Sequence, residues 1–330
     1  MDAPAPIDVR AARWIARSGR SRQRRPRPCA KARSGIHPAS PQPSAALAAR
    51  RAAAAPSDTV PPIRRPMLPE SFQPHYHLLS RPLPDALTLS FVGDTLLLED
   101  DRPAALARLP APELLLHIGD DHGRPIQAAG WRALDALPAG VAAHGLRGSY
   151  GRLDEAAWLI AGRASQLLTF HRTHAFCGVC GHATRALDDE ASRRCDACGH
   201  QVWPRVSPAM MVLVRRGREL LLARSPHFRP GVYSALAGFV EPGESLEACA
   251  HRETLEEVGV RIANLRWFGS QSWAFPHSLM LAFEADYVSG DIVPEAGEIE
   301  DAGWFTPERL PDLPSPGSIA YRLIRAALAR

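Results

Sequence analysis

The chain has 330 residues, of which 45% are hydrophobic, and its net charge is +4. No uninterrupted apolar stretch approaches the roughly 20 residues needed to cross a bilayer, so a membrane-spanning helical protein is excluded. Four of the six cysteines form two CxxC pairs, which is more typical of metal binding in a reducing compartment than of a secreted disulfide framework. These features predict a cytoplasmic protein with no membrane partner.

The first predicted segment, residues 1–66, is strongly basic. It holds 14 Lys and Arg against three Asp, which gives it a net charge of +11 and leaves −7 for the rest of the chain. Its Arg, Ala, Pro and Ser residues show no sustained apolar periodicity, so we expect disorder. Three other readings are a translation start at Met67, a nucleic-acid-binding arm and, less favoured because of its prolines, an organellar transit peptide.

Residues 67–170 are predicted to form an α+β N-terminal scaffold domain. Leu87–Val92 and Thr95–Leu98 flank Gly93-Asp94, a turn pair that favours a hairpin. A strand is expected at 114–119 and an amphipathic helix at about 154–170. This half shows no catalytic constellation in the sequence. Its scattered histidines are interpreted as structural or surface residues: His117, His122 and His144.

Residues 171–203 carry the spacing of a zinc ribbon. Cys177-x-x-Cys180 and Cys195-x-x-Cys198 predict four thiolates around one structural Zn²⁺, with no coordination position left for water. Nearby histidines are given little weight as ligands. Zinc ribbons also bind nucleic acids, and three arginines inside this one keep an RNA-binding reading open: Arg185, Arg193 and Arg194.

Residues 204–330 are predicted to form a third domain. Buried strands are expected at 210–214 and 220–223, and a final helix at about 318–328. The alternation of strands and helices suits an α/β/α sandwich. Between these elements, a helix from about Ser245 to Val258 would place Glu253, Glu256 and Glu257 on one patch, since they stand at i, i+3 and i+4. Clustered carboxylates favour hard cations such as Mg²⁺ or Mn²⁺, and hence phosphate chemistry.

This stretch resembles the Nudix hydrolase signature. The matching positions are Gly238, Glu244, Arg252, Glu253, Glu256, Glu257 and Gly259. Thr254 departs from the usual aliphatic residue, and its hydroxyl would need a partner if it is buried. Arg252 is expected to orient the glutamates through a bidentate pair, and either Glu256 or Glu257 could accept the proton from water.

The segment 270–280 resembles the SQPWPFPxS element of the NADH pyrophosphatase family, with Ser272 and Ala274 in place of two prolines. The resemblance implies substrate contacts from Trp203, Gln271, Ser272, Trp273, Ala274, Phe275, Pro276, His277, Ser278 and Ala320. It also implies metal coordination by Glu253, Glu257, Glu298 and the carbonyl of Ala237. Aromatic faces to hold the bases of a dinucleotide are expected from Phe239, Trp203, Trp273 and Phe275.

The implied reaction is metal-dependent hydrolysis of NAD(H) to nicotinamide mononucleotide and AMP, with removal of NAD caps from RNA as a related activity. The resemblance also implies a homodimer. The alternatives are a broader pyrophosphatase of the ADP-ribose type, if the altered 272 and 274 positions relax specificity, and a catalytically idle zinc-ribbon protein that binds RNA. Metal-dependent turnover separates the enzymes from the binding module.

Overall fold

The computed structural model describes residues 68–188 and 190–330. The predictions for residues 1–66, including disorder and a start at Met67, lie outside the described residues. Within the described ranges, no helix is both long and apolar enough to span a membrane.

The N-terminal part is a seven-stranded sheet with one long helix, α1 (Glu155–Thr173), packed on it. The strand order is β1-β5-β6-β2-β3-β4, and β7 pairs with β3. The predicted hairpin, strand and helix are all confirmed. The strands are β1 (Phe72–Leu78), β2 (Leu87–Val92), β3 (Thr95–Glu99), β4 (Arg102–Pro103), β5 (Leu114–Asp121), β6 (Arg124–Trp131) and β7 (Val141–Gly145).

The zinc ribbon follows α1 as a small antiparallel sheet of three strands, β8 (Thr184–Ala186), β9 (Arg193–Cys195) and β10 (Gln201–Val202). A buried polar network fastens it to the N-terminal sheet. Arg193 donates to Nδ1 of His171 at 3.0 Å, and Nε2 of His171 lies 2.7 Å from the hydroxyl of Tyr76. Burial, and secondarily the charge of Arg193, lowers the pKa of His171 to about 4, so this histidine is neutral at physiological pH.

The C-terminal part is a sheet between two helices, which confirms the predicted α/β/α sandwich. Its order is β14-β15-β11-β12-β16, with β13 paired to β11. Helix α2 (Leu246–Val258) packs on one face and α3 (Ile319–Leu328) on the other. The strands are β11 (Ser207–Arg216), β12 (Glu219–Arg224), β13 (Leu236–Phe239), β14 (Arg261–Trp273), β15 (Ser278–Ser289) and β16 (Asp301–Phe305).

Both ends of α2 form as predicted. The Ser245 side chain accepts a hydrogen bond from the amide of Ala248, and Gly259 closes the helix with a left-handed φ of 73°. Thr254, the departure from the aliphatic pattern, is fully buried. Its hydroxyl donates to the carbonyl of Ala250 at 2.7 Å, which supplies the partner that burial requires.

Candidate active site

Arg252 is the hub of the carboxylate cluster. Its Nε and Nη2 atoms form a bidentate pair with Glu244, at 2.7 and 2.8 Å. Its Nη1 atom donates to Glu253 at 2.9 Å and to Glu256 at 3.0 Å, and Nη2 also reaches the carbonyl of Phe239. One guanidinium therefore ties the loop before α2 and the end of β13 to two carboxylates of the helix. This hydrogen-bonding raises the pKa of Arg252 and lowers that of Glu244 to about 2.

Glu257 is the carboxylate of this cluster that receives no hydrogen bond from Arg252. It is only 3% exposed, and its Oε2 atom has no hydrogen-bond partner. Burial, followed by the charges of Glu253 and Glu298, raises the pKa of Glu257 well above its ordinary value. Burial also raises the pKa of Glu253, although Arg252 offsets part of that effect. Glu256, whose side chain is 54% exposed, is much more open to solvent than Glu253 and Glu257.

A distant loop adds two further acids. The amides of Val293 and Glu295 donate to the carbonyls of Val258 and Glu257, which fastens the loop after β15 to the end of α2. The sequence-predicted Glu298 thereby comes close enough to raise the pKa values of Glu253 and Glu257. Glu295 also repels the carboxylate of Glu257, and its own pKa is raised first by burial and then by the charge of Glu298. Sequence reasoning missed Glu295, although its position three residues before Glu298 was the available signal.

The donor set fits a divalent cation. The cluster gathers carboxylate oxygens of like charge, including one buried oxygen with no partner, which is the chemistry that Mg²⁺ and Mn²⁺ accept. Gly238 makes room for the Glu253 carboxylate, since a Cβ atom there would overlap it. Ala237, the expected carbonyl ligand, precedes Gly238 on β13, and its amide hydrogen-bonds to Glu257. The residues that would hold the cation are Glu253, Glu257, Glu298 and the carbonyl of Ala237.

The sheet register places the predicted substrate loop beside this cluster. Gln271, Met280, Ala209 and Phe239 are successive partners across β14, β15, β11 and β13. At about 4.8 Å per strand, roughly 14 Å separates Gln271 from Phe239. The loop that joins β14 to β15 therefore lies at the sheet end where β13 leads into the carboxylate motif. Phe239 alternates with Gly238 and so faces the opposite side of the sheet from Glu253.

The aromatic residues of this loop pack onto the N-terminal domain. The rings of Trp273 and Phe275 lie edge to face, 4.9 Å between centroids, and both approach Trp158 of α1 at 6.1–6.2 Å. The guanidinium of Arg147 lies 4.9 Å from the Phe275 centroid and 5.7 Å from that of Trp273. The two aromatic rings are thus held between a cation and an indole of another domain.

The other loop positions divide into exposed and engaged residues. Ser272 is exposed, with its hydroxyl 3.5 Å from Oε1 of Gln166, and Ala274 packs near Gly162 of α1. Pro276 is exposed after a cis peptide bond. His277 is half-buried with its Nδ1 atom 3.2 Å from the hydroxyl of Ser207, and Ser278 is buried.

Gln271 and Ala320 are buried, which limits how they could meet a substrate. Gln271 is 1% exposed; it donates to the carbonyl of Gly317 at 2.7 Å and accepts from the amide of Ile319 at 2.6 Å. Its amide therefore fixes the start of α3, where Ala320 lies 4% exposed. Trp203 is 53% exposed, and its indole N–H donates to Glu190 at 3.1 Å. Of the predicted aromatic faces, it is the most open to solvent.

The four ribbon cysteines form one compact cluster. Their Sγ atoms lie 3.4–3.6 Å apart in the three recorded pairs, close to the roughly 3.8 Å expected around a tetrahedral Zn²⁺. Within the described ranges they are the one group of metal-binding side chains whose ligand atoms all lie within 4.8 Å of each other. The carboxylate oxygens of the active site are more widely spaced, as in a site that would share its cations with substrate phosphates.

Sequence comparison matches a family to each of the three predicted domains. A NUDIX domain matches residues 204–326, an NADH pyrophosphatase zinc ribbon domain matches 172–202, and an NADH pyrophosphatase-like rudimentary NUDIX domain matches 85–169. A solved NUDIX hydrolase from Nitrosomonas europaea aligns with a TM-score of 0.42 at 24% identity, over 47% of this chain and 91% of its own.

Three curated relatives carry the name NAD-capped RNA hydrolase NudC. The Chromobacterium violaceum protein is 65% identical over 52% of this chain and 64% of its own length. The Pseudomonas aeruginosa protein is 50% identical over 68% of this chain and 81% of its own. The Deinococcus radiodurans protein is 44% identical over 74% of this chain and 89% of its own. The chain therefore belongs to the NudC family of Nudix hydrolases, with the zinc ribbon and the rudimentary second NUDIX domain that accompany NADH pyrophosphatases.

Proposed function

We propose that this protein hydrolyses the pyrophosphate bond of NAD(H) to yield nicotinamide mononucleotide and AMP, and that it removes NAD caps from RNA 5′ ends. The observation that carries the proposal is the buried carboxylate of Glu257, whose Oε2 atom has no hydrogen-bond partner and which lies near Glu253, Glu298 and the Arg252 hub. The aromatic rings of Trp273 and Phe275 lie at the same end of the sheet. A dinucleotide offers the matching features, a charged bridge and flat bases.

In the proposed reaction, a water oxygen bonds to one phosphorus while the bond from that phosphorus to the bridging oxygen breaks. A bound divalent cation, Mg²⁺ or Mn²⁺, would lower the pKa of the water and offset charge on the phosphate oxygens. We assign Glu257 as the proton acceptor, because its carboxylate is buried within the cluster and its Oε2 atom accepts no hydrogen bond from the protein. Glu256 is exposed and already bound by Arg252, so we assign it to the outer part of the cluster.

Arg252 acts by positioning. Five of its hydrogen bonds go to protein oxygens, two to Glu244 and one each to Glu253, Glu256 and the Phe239 carbonyl, which leaves little of the guanidinium for a substrate phosphate. It holds the helix carboxylates at a fixed distance from β13. Trp273 and Phe275 are assigned to base stacking, and the exposed Trp203 is assigned to a second base or to the partner subunit's substrate.

The protein is also proposed to be a cytoplasmic homodimer. Apolar side chains stand exposed on the ribbon and just after it, with Phe176 at 71%, Val179 at 69% and Val206 at 60%. Exposed apolar side chains of this size favour association with a second copy. Light scattering coupled to gel filtration measures the mass directly, and a monomer at micromolar concentration would refute this part.

The deciding experiment is competitive turnover of NADH, NAD, ADP-ribose and NAD-capped RNA, with products identified by mass. We expect AMP and nicotinamide mononucleotide from the dinucleotides and 5′-monophosphorylated RNA from the capped transcript. Reaction in H₂¹⁸O shows which phosphorus is attacked. A preference for ADP-ribose would instead mean that Ser272 and Ala274 have relaxed the loop, and no turnover in either metal would refute the enzyme assignment.

A further inference from the structure

Residues 1–66, which we call the basic arm, are attached to the folded part of the chain beside the proposed substrate loop. Leu68, the first residue that the structure describes, lines one cleft together with Ser272, Ala274 and Phe275 of that loop. Helix α1 supplies the other wall of this cleft. The basic arm therefore joins the folded part at the edge of the substrate loop.

Hydrogen bonds fix the point of attachment. The amide of Phe72 donates to the carbonyl of Pro69 at 2.9 Å, and the hydroxyl of Ser71 donates to Asp121 of β5 at 2.6 Å. These bonds tie the residues between the arm and β1 to the edge of the N-terminal sheet. The place at which the arm begins is thus set by the fold.

The two parts of the chain differ in charge. Residues 1–66 carry 14 basic and three acidic side chains, whereas residues 67–330 carry 25 basic and 32 acidic ones. The densest run, residues 20–33, is called the basic block here and contains no acid. Its basic residues are Arg20, Arg22, Arg24, Arg25, Arg27, Lys31 and Arg33. Since phosphates attract Lys and Arg whatever the nucleotide sequence, RNA should be drawn to the arm and repelled by the net charge of the remainder.

Two arginines of the folded part that lie at the substrate loop already have protein partners. Arg147 lies over the two aromatic rings of the loop, and Arg163, which lines the cleft, donates to two backbone carbonyls. The arm brings further cations to the same place. Because a chain spans at most about 3.6 Å per residue, Arg64 and Arg65 lie within about 14 Å of Leu68.

We infer that the basic arm binds the phosphate backbone of NAD-capped RNA as the transcript leaves the substrate loop, and so favours capped RNA over free NAD(H). The inference rests on the proposed removal of NAD caps. A free dinucleotide has no phosphates beyond its own pyrophosphate, so it gains nothing from the arm. The arm would thus select the substrate by charge, while the carboxylate cluster carries out the same hydrolysis on both.

The test uses the full-length, untagged protein and two variants of the basic block. One variant replaces its seven basic residues by Gln. The matched control replaces its six arginines by Lys, which keeps the charge at the same positions. The Kd of a 3′-labelled, 5′-monophosphorylated RNA is measured by fluorescence anisotropy between about 50 and 200 mM salt. Turnover of NADH and of NAD-capped RNA is measured alongside.

Charge contacts predict a specific loss in the Gln variant. Each phosphate contact contributes about 0.7 to the slope of log Kd against log salt, so losing three contacts should lower the slope by about 2 and raise Kd at least about tenfold. The Lys variant should keep the wild-type slope. The kcat/KM for capped RNA should fall with RNA affinity in the Gln variant, whereas NADH turnover should stay within about twofold of wild type in both variants.

Several results would overturn the inference. These are an unchanged Kd for RNA in the Gln variant, an equal loss in the Lys variant, or an equal fall in NADH turnover. Binding of the arm to phosphatidylserine vesicles without any effect on RNA would make it a membrane-surface segment instead. An intact mass showing that the native protein lacks residues 1–66 would also refute it. Because the RNA Kd requires no catalysis, failure of the arm and failure of the proposed hydrolase activity are separate results.

Discussion

Glu257→Gln should stabilise the metal-free protein and yet abolish most of its activity. The wild-type carboxylate is 3% exposed, has one oxygen without a partner, and lies in the field of Glu253 and Glu298. An unsatisfied buried polar group costs about 1–3 kcal/mol, and more when it is charged. A neutral amide of the same shape removes the buried charge and its repulsion by Glu253 and Glu298, and it places an N–H donor among carboxylates, so the free energy of unfolding should rise by about 1–2 kcal/mol. For a folded unit of this size, that corresponds to roughly 3–6 °C in Tm.

The same change should remove the response to metal and slow the reaction. Mg²⁺ at 100 times its Kd stabilises a binding protein by about 2.7 kcal/mol, and we expect this increment in the wild type but not in Glu257→Gln. Loss of a group that takes a proton and holds charge near the reacting phosphorus should lower kcat by about 10²–10⁴-fold.

The assays are thermal unfolding with EDTA and with Mg²⁺, alongside NADH turnover. Glu247→Gln is the matched control, since it makes the same substitution on an exposed residue in the first turn of α2 and should change stability by less than about 0.5 kcal/mol. A metal-free Glu257→Gln protein that unfolds at lower temperature than wild type would refute the argument from the unpaired carboxylate. Near-normal turnover would remove Glu257 from the reaction.

Three further results are expected. Arg252→Lys loses the bidentate pair with Glu244, so the free energy of unfolding measured in urea at pH 7 should fall by about 2 kcal/mol. The pKa of Glu244 in the folded protein is about 2, below its ordinary 4.5. The loss should therefore persist above pH 4.5 and vanish as the pH falls toward 2. Arg147→Ala should raise the KM for NADH about fivefold at nearly constant kcat, because the cation over the rings of Trp273 and Phe275 is lost. The KM of Arg147→Lys should lie between those of the wild type and Arg147→Ala, and an unchanged KM in Arg147→Ala would contradict this. Cys195→Ser should lower the zinc content measured by mass spectrometry and destabilise the ribbon, whereas full zinc retention would contradict a four-thiolate site.

Local chemistry made helix α2 predictable from sequence. The N-cap at Ser245, the left-handed Gly259 and the i, i+3, i+4 spacing of the carboxylates are all set within 15 residues, so no tertiary information was needed to place them. The ribbon cysteines follow the same rule, because each CxxC pair forms its own turn.

Residues whose roles depend on strand pairing could not be assigned in this way. Glu256 and Glu257 are neighbours with the same chemistry, but one is exposed and bound by Arg252 while the other is buried, and only the packing of α2 on the sheet separates them. Gln271 matches a substrate-loop position in sequence, whereas in the structure its side-chain amide hydrogen-bonds to the backbone of Gly317 and Ile319. Such differences arise from contacts between elements that are separated in the sequence.

Helix α1 explains why a domain with no carboxylate cluster of its own accompanies the hydrolase domain. Its first turn meets α3 through an ion pair between Glu155 and Arg322, and its Trp158 packs against the aromatic residues of the substrate loop. Arg163, farther along the helix, donates to the carbonyl of His75 on β1, and His171 in the last turn accepts a hydrogen bond from Arg193 of the zinc ribbon. One helix thus contacts the ribbon, the scaffold sheet and the loop. The loop lacks proline at positions 272 and 274; the pairing of Ser272 and Trp273 with Leu279 and Ser278 orders its base, and the contacts from α1 add to that order. Changes in α1 should consequently alter substrate affinity before they alter the chemistry at Glu257.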